Sequence, residues 1–141
     1  MTHRRSFPPD PSEVAAARRF VVEVLTAAGL DPWPAELVVS ELATNAARHS
    51  GTAYTVSVFV DDAVRVEVWD RSDALPAVRG PSRRRQRGRG LVLVDRLARS
   101  WGVAAAPEGK TVWCVLPLAE PELAEPVLAR EWQLAMTTAT A

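Results

Sequence analysis

Glu41, Asn45 and His49 recur every fourth residue in the stretch VVSELATNAARHS, residues 38–50. On a helix, that spacing stacks three polar side chains on nearly one face. A carboxylate can take a proton, and an amide oxygen can ligate a metal ion. Leu42, Ala43, Ala46 and Ala47 lie between them and are residues of a packed helix. Taken alone, the stripe reads best as the solvent-facing side of that helix. Three further stretches change the weighing. RVEVWD ends in Asp70 at the mouth of a long loop, GRG at 88–90 closes that loop and opens a helix, and GKT at 109–111 opens the last strand. Together they supply a metal ligand, an acceptor for an exocyclic amine, phosphate donors and a mobile cover, which are the parts of a nucleotide site.

Several motifs point elsewhere and fail. GKT resembles the end of a P-loop, but the first glycine of that motif falls on Ala104, and a strand pattern follows where a helix is needed. GRGLVL begins like a dinucleotide fingerprint, yet Leu93 stands at the third glycine position and no strand precedes it. Cys114 sits in a strand pattern and reads as a buried, inert thiol. The arginines 83, 84, 85, 87 and 89 form a run with three readings: solvated surface, contact with nucleic acid, or contact with a smaller anion. The run carries no aromatic residue, which makes it a weak nucleic-acid signal. Its place just before a glycine-led helix favours phosphate, because a helix N-terminus offers free N–H groups and a positive dipole end.

The elements that must position these residues follow from periodicity. Residues 1–11 read as a flexible arm or a short edge strand around Phe7. Ser12 can cap a first helix, in which Val14, Ala17, Val21, Val24 and Leu25 repeat at helical spacing. A second helix runs from Pro34, suited to a first turn, to a stop at Gly51. The period then changes to two. Val56, Val58 and Val60 form one strand and Val64, Val66 and Val68 the next, with a hairpin turn at Asp61–Asp62. Residues 71–89 have no period and read as a long loop. GLVLVDRLARSWG gives a third helix stopped at Gly102, a weaker strand lies near GVAAA, and KTVWCVLP is a clear strand. The tail at 119–141 has room for a short helix. The order implies an α+β two-layer sandwich, with helices on one face of a sheet.

Composition narrows the classes. The chain has 141 residues, 48% apolar and 24% charged, with a formal net charge of zero. That length suits one domain with a real core, and zero net charge gives no global pull toward nucleic acid or membrane. Cys114 is the only cysteine, so no intramolecular disulfide forms; with two histidines, a structural zinc site is not expected either. No apolar run approaches the roughly 20 residues of a membrane span, and the start has no apolar core of a signal peptide. A cytoplasmic protein with no membrane partner is the expectation.

The motifs in order resemble the Bergerat-fold (GHKL) ATPases, which include histidine kinases, Hsp90, gyrase B and MutL. ELATNAARHS looks like their N-box, VWDRS their aspartate box, GRGLVLVDRLA their glycine box and EGKTVWCVLP their final strand. Any one box is weak, but four in order across residues 10 to 118 are specific. The short chain and GRGLVLVD…WGV are similar to the branch of bacterial anti-sigma factor serine kinases of the RsbW and SpoIIAB type, in its actinobacterial form. The resemblance implies a mostly antiparallel mixed sheet with helices on one face, and an ATP-binding kinase-like domain over residues 12–118.

It also implies roles. Asn45 would hold Mg²⁺, and Glu41 would be the general base. Asp70 would accept a hydrogen bond from the adenine amine, with Thr111 supporting that end of the pocket through water. Gly88 and Gly90 would let the backbone approach the phosphates of ATP, the N–H groups of Leu91 and Val92 would help hold them, and residues 71–87 would form a lid. His49 has a capping or dipole role as much as a phosphate contact, and stays outside the site set. Ser72 departs from the family pattern, which places glycine two residues after the aspartate. The implied partners are a STAS-domain anti-sigma factor antagonist and a sigma factor, with a homodimer also suggested. No phospho-acceptor histidine helix precedes the domain and no transducer domain follows it in this sequence, which disfavours the histidine-kinase, Hsp90 and gyrase readings. Two functions compete with a serine/threonine-protein kinase: a non-catalytic ATP-binding interaction module, and a nucleic-acid-binding regulator that uses the arginines. Glu41 favours the kinase, because a pure binder needs no base beside the metal.

Overall fold

Alternating valines build the sheet of this protein, and helices rich in alanine and valine cover one side of it. The computed structural model describes residues 1–72, 88–106 and 108–118, with backbone only at 88–90. In chain order its elements are β1 (Thr2–Phe7), α1 (Val14–Ala27), α2 (Trp33–His49), β2 (Tyr54–Val60), β3 (Val64–Asp70), α3 (Gly88–Leu97), β4 (Ser100–Ala106) and β5 (Gly109–Leu116). The sheet order is β1-β2-β3-β5-β4. Every pairing among the described strands is antiparallel, so the parallel neighbour of a mixed sheet is absent there.

Period-two burial fixes which face meets the helices. Val64, Val66, Val68 and Asp70 of β3 are buried, while Arg65, Glu67 and Trp69 between them are not. β5 repeats the pattern, with Lys110, Val112, Cys114 and Leu116 buried. Against these packs one core from α1, α2 and α3, including Val21, Leu25, Val38, Leu42, Leu91 and Val94. Fully burying one such aliphatic side chain contributes about 1.5–3 kcal/mol. The result is a two-layer α+β sandwich.

The N-terminal segment takes the edge-strand form: β1 pairs with β2 from Thr2 opposite Phe59 to Phe7 opposite Tyr54. Phe7 alone of that strand is buried, and its ring packs on Phe20 and Tyr54. Ser12 does not cap α1. Asp10 accepts the Ser12 N–H at 2.9 Å and starts a short 3-10 turn, Pro11–Glu13, that leads into the helix. α2 stops where Gly51 turns left-handed, with φ 64°.

The third helix differs from its sequence pattern at both ends. It begins at Gly88 and ends at Leu97, not at Gly102. The Ala98 N–H still bonds to the Val94 carbonyl, but the Arg99 N–H already bonds to Val115 of β5. Pairing with β5 thus takes over from the helical pattern, and Gly102 lies inside β4 opposite Trp113. A Cβ at Gly102 would stand 2.8 Å from the Trp113 ring, so glycine serves close approach there and not a helix stop. The indole N–H of Trp101 donates to Asp95 at 2.9 Å and ties β4 back to α3. The expected short helix in 119–141 and most of the expected lid lie outside the described residues.

Candidate functional site

β3 and β5 pair with Asp70 opposite Lys110 and Trp69 opposite Thr111. Alternation along the strands sends Asp70 and Lys110 to the helix side, where they are 2% and 5% exposed. α2 lays Asn45 and His49 over the same spot. One cavity of about 20 Å³ results, with apolar walls from Leu42, Ala46, Val68 and Val112 and polar groups from Asn45, His49, Asp70 and Lys110. That is room for roughly one water, so a larger ligand requires the cavity to widen.

Among the described residues, three bonds hold the Asp70 carboxylate. Lys110 Nζ donates to Oδ1 at 2.9 Å and to Oδ2 at 3.1 Å. The Ser72 N–H donates to Oδ1 at 2.8 Å. Gly109 makes this pairing possible: its φ is 151°, and a Cβ there would run into the backbone carbonyl of Asp70. Breaking a buried ion pair from one side leaves a stranded charge and costs about 3–5 kcal/mol.

Glu41 sits about one helical turn before Asn45, about 6 Å along the axis. It is half-buried and is not part of the cavity wall. Burial pushes its carboxyl above the ordinary value of 4.5, with the Arg48 charge partly opposing the rise. A raised carboxyl is a stronger base at neutral pH than an unperturbed one. Cys114 is fully buried, and its thiol is pushed up to about 12, mainly by desolvation, so it is no nucleophile.

Besides Glu41, the sites expected from sequence fall into three groups. Asn45 and Asp70 line the cavity together. Gly88, Gly90, Leu91 and Val92 lie in the first turn and a half of α3. A helix that starts at Gly88 leaves the N–H groups of its first turn, at 88–90, without intrahelical acceptors; those of Leu91 and Val92 stand at the first ladder positions. The Leu91 side chain is buried in the core and that of Val92 is 52% exposed. Thr111 is the correction. It stands on the open face of the sheet, in a different groove with Arg4, Thr55, Ser57, Glu67 and Trp69. The β5 side chain at the Asp70 end of the cavity is Lys110. Sequence reading passed over Lys110 as the middle of a false P-loop. The available signal was alternation: Lys110 shares its register with Val112, Cys114 and Leu116, a lone charge on an apolar face.

Among the described residues, no group of three or more His, Cys, Asp or Glu could enclose a metal. A single amide oxygen from Asn45 nevertheless fits Mg²⁺, which keeps several waters and is commonly held by one or two protein oxygens plus substrate phosphate.

The model of the histidine kinase-like ATPase domain matches residues 7–116. The chain belongs to this family. Within the family's fold, the chain is similar to the crystal structure of the RsbU and RsbW domains of Rv1364c from Mycobacterium tuberculosis, with a TM-score of 0.65 and 19% identity. The match covers 86% of this chain and 33% of that one, so this chain spans about a third of its structural relative. Similar too are the histidine kinase AdeS of Acinetobacter baumannii (TM-score 0.47, 12% identity, 82% of this chain and 68% of that one) and the catalytic domain of the histidine kinase ThkA (TM-score 0.47, 13% identity, 84% and 99%). No curated protein sequence gives a significant match. Among the described residues, no helix is long and apolar enough to cross a membrane.

Proposed function

We propose that this histidine kinase-like ATPase domain is a protein serine kinase of the anti-sigma factor type: it binds ATP, phosphorylates a serine of a STAS-domain antagonist, and sequesters a sigma factor when that antagonist is phosphorylated. One observation carries the reading: α2 places a half-buried, raised carboxylate one turn from the amide that lines the cavity opposite Asp70. The fold likeness to a chain containing an RsbW domain supports the same branch.

In this reading Asp70 accepts the adenine amine. The free N–H groups at the start of α3 face phosphate oxygens, and Gly88 and Gly90 let the backbone come close. Asn45 holds Mg²⁺ through its side-chain oxygen, and the ion supplies positive charge beside the phosphates when bound. Glu41 takes the proton of the partner's serine hydroxyl. The serine oxygen forms its bond to the γ-phosphorus as the bond to the leaving oxygen breaks, and ADP departs with that electron pair.

Two variants test this with the cognate antagonist and radiolabelled ATP. A base typically supplies about 10²- to 10⁴-fold in rate without touching ATP in the ground state. Glu41→Ala is therefore expected to bind ATP·Mg²⁺ nearly as the native protein does and to lose phosphotransfer by that factor. Asn45→Ala is expected to lose both, because positioning precedes chemistry. Transfer by Glu41→Ala at the native rate would remove the base and with it the proposed mechanism.

A further inference from the structure

Lys110 belongs to none of the roles above, yet it donates to both carboxylate oxygens of Asp70. We propose that Lys110 is a positioning residue for base recognition: it fixes the Asp70 carboxylate so that Oδ2 remains available to the exocyclic amine of adenine. The proposal rests on the ATP-binding reading and deepens it.

Bond counting leads to this role. The ammonium of a lysine has three N–H donors. Two go to Asp70 Oδ1 and Oδ2, and the third lies toward the Ser72 carbonyl at 3.5 Å. Lys110 thus has no donor to spare for a ligand. Asp70 has spare capacity, because each carboxylate oxygen has about two lone-pair sites. Oδ1 is filled by Lys110 and by the Ser72 N–H, whereas Oδ2 receives only the longer Lys110 bond among the described residues. The pair is buried at both ends, with side chains 6% and 3% exposed, so water does little to screen it or replace it. Burying a carboxylate this deeply costs less beside a cationic partner, and two bonds from that partner fix its orientation. The geometry would also allow an opposite role, in which the ammonium occupies the place of the base amine and ATP must push it out. The full complement of acceptors around Nζ favours a fixed lysine over a displaced one.

Calorimetry with ATP and with inosine triphosphate, which carries a carbonyl where adenine has its amine, separates the cases. The native chain is expected to prefer ATP. Lys110→Met is expected to weaken ATP by roughly 5- to 150-fold, the span of one hydrogen bond left unmade, with little change for the inosine nucleotide. Lys110→Arg, which keeps a charged partner for both oxygens, is expected to retain the preference. A merely structural lysine would weaken both nucleotides together. Lys110→Met with the native ATP-over-ITP ratio would overturn the proposal, whereas a native chain that binds no ATP would overturn the underlying reading and this proposal with it.

Lys110 is also the only lysine in the sequence, so the native protein offers a measurement that does not depend on any variant folding. Reductive methylation with formaldehyde can modify only Lys110 and the N-terminal amine, and mass spectrometry distinguishes the two. Lys110 is expected to resist methylation equally without nucleotide and with ATP, and to react once the chain is unfolded in urea. Faster methylation of Lys110 on ATP binding would mean that the base displaces the ammonium, and would contradict a positioning role.

Discussion

Glu41 is held where its charge is disfavoured, and that has a measurable consequence. Below its ordinary value of 4.5 the carboxyl is protonated in both folded and unfolded chains and no penalty applies. As pH rises from 4.5 toward the raised folded value, the unfolded chain releases its proton first, so the folded state loses stability, and the loss persists at higher pH. Glu41→Gln is therefore expected to melt above the native protein at pH 7, with the difference shrinking to nothing near pH 4; an unchanged or lower melting temperature at pH 7 would count against the burial of this group. At Asp70 the effect is one of pairing. Asp70→Ala strands the Lys110 charge in the interior and is expected to cost about 3–5 kcal/mol in urea unfolding. The helix stripe of Glu41 and Asn45 was legible from spacing, because a period of four survives in any helix. The partner of Asp70 was not, because it lies 40 positions away and only strand register brings it there.

β4 is the element that sequence pattern located least well. Its residues continue the apolar spacing of α3, and only a cross-strand ladder to β5 makes them a strand. Gly102 reports on this directly, since β4 closes against the Trp113 ring at that point. Gly102→Val is expected to destabilise the chain by about 1–3 kcal/mol, the usual cost of forcing bulk into a packed place, read by urea unfolding. A neutral Gly102→Val would fit a helix stop at 102 better than a strand. The β2–β3 hairpin was legible because alternation of valine is local and the Asp61–Asp62 turn is short, closed by the Asp61 N–H on the Ala63 carbonyl. The same alternation carried through β5 also explains Thr111: the buried register is that of Lys110, Val112, Cys114 and Leu116, and the threonine falls on the other face.

For the whole molecule, four motifs in order were enough to indicate the histidine kinase-like ATPase family, and the antiparallel sheet of five strands under three helices among the described residues agrees. What the sheet adds is convergence. α2, the end of β3 and the start of β5 come from distant parts of the chain and meet at one cavity. That convergence is the ground on which an adenine nucleotide is proposed for this domain. The most direct test is a calorimetric titration of the full chain with ATP and with GTP, each in Mg²⁺. A carboxylate at the base end rewards an amine and repels a carbonyl, so ATP is expected to bind at least about tenfold more tightly than GTP, a difference of about 1.4 kcal/mol. Equal affinities for the two nucleotides, or no binding of ATP, would contradict the account.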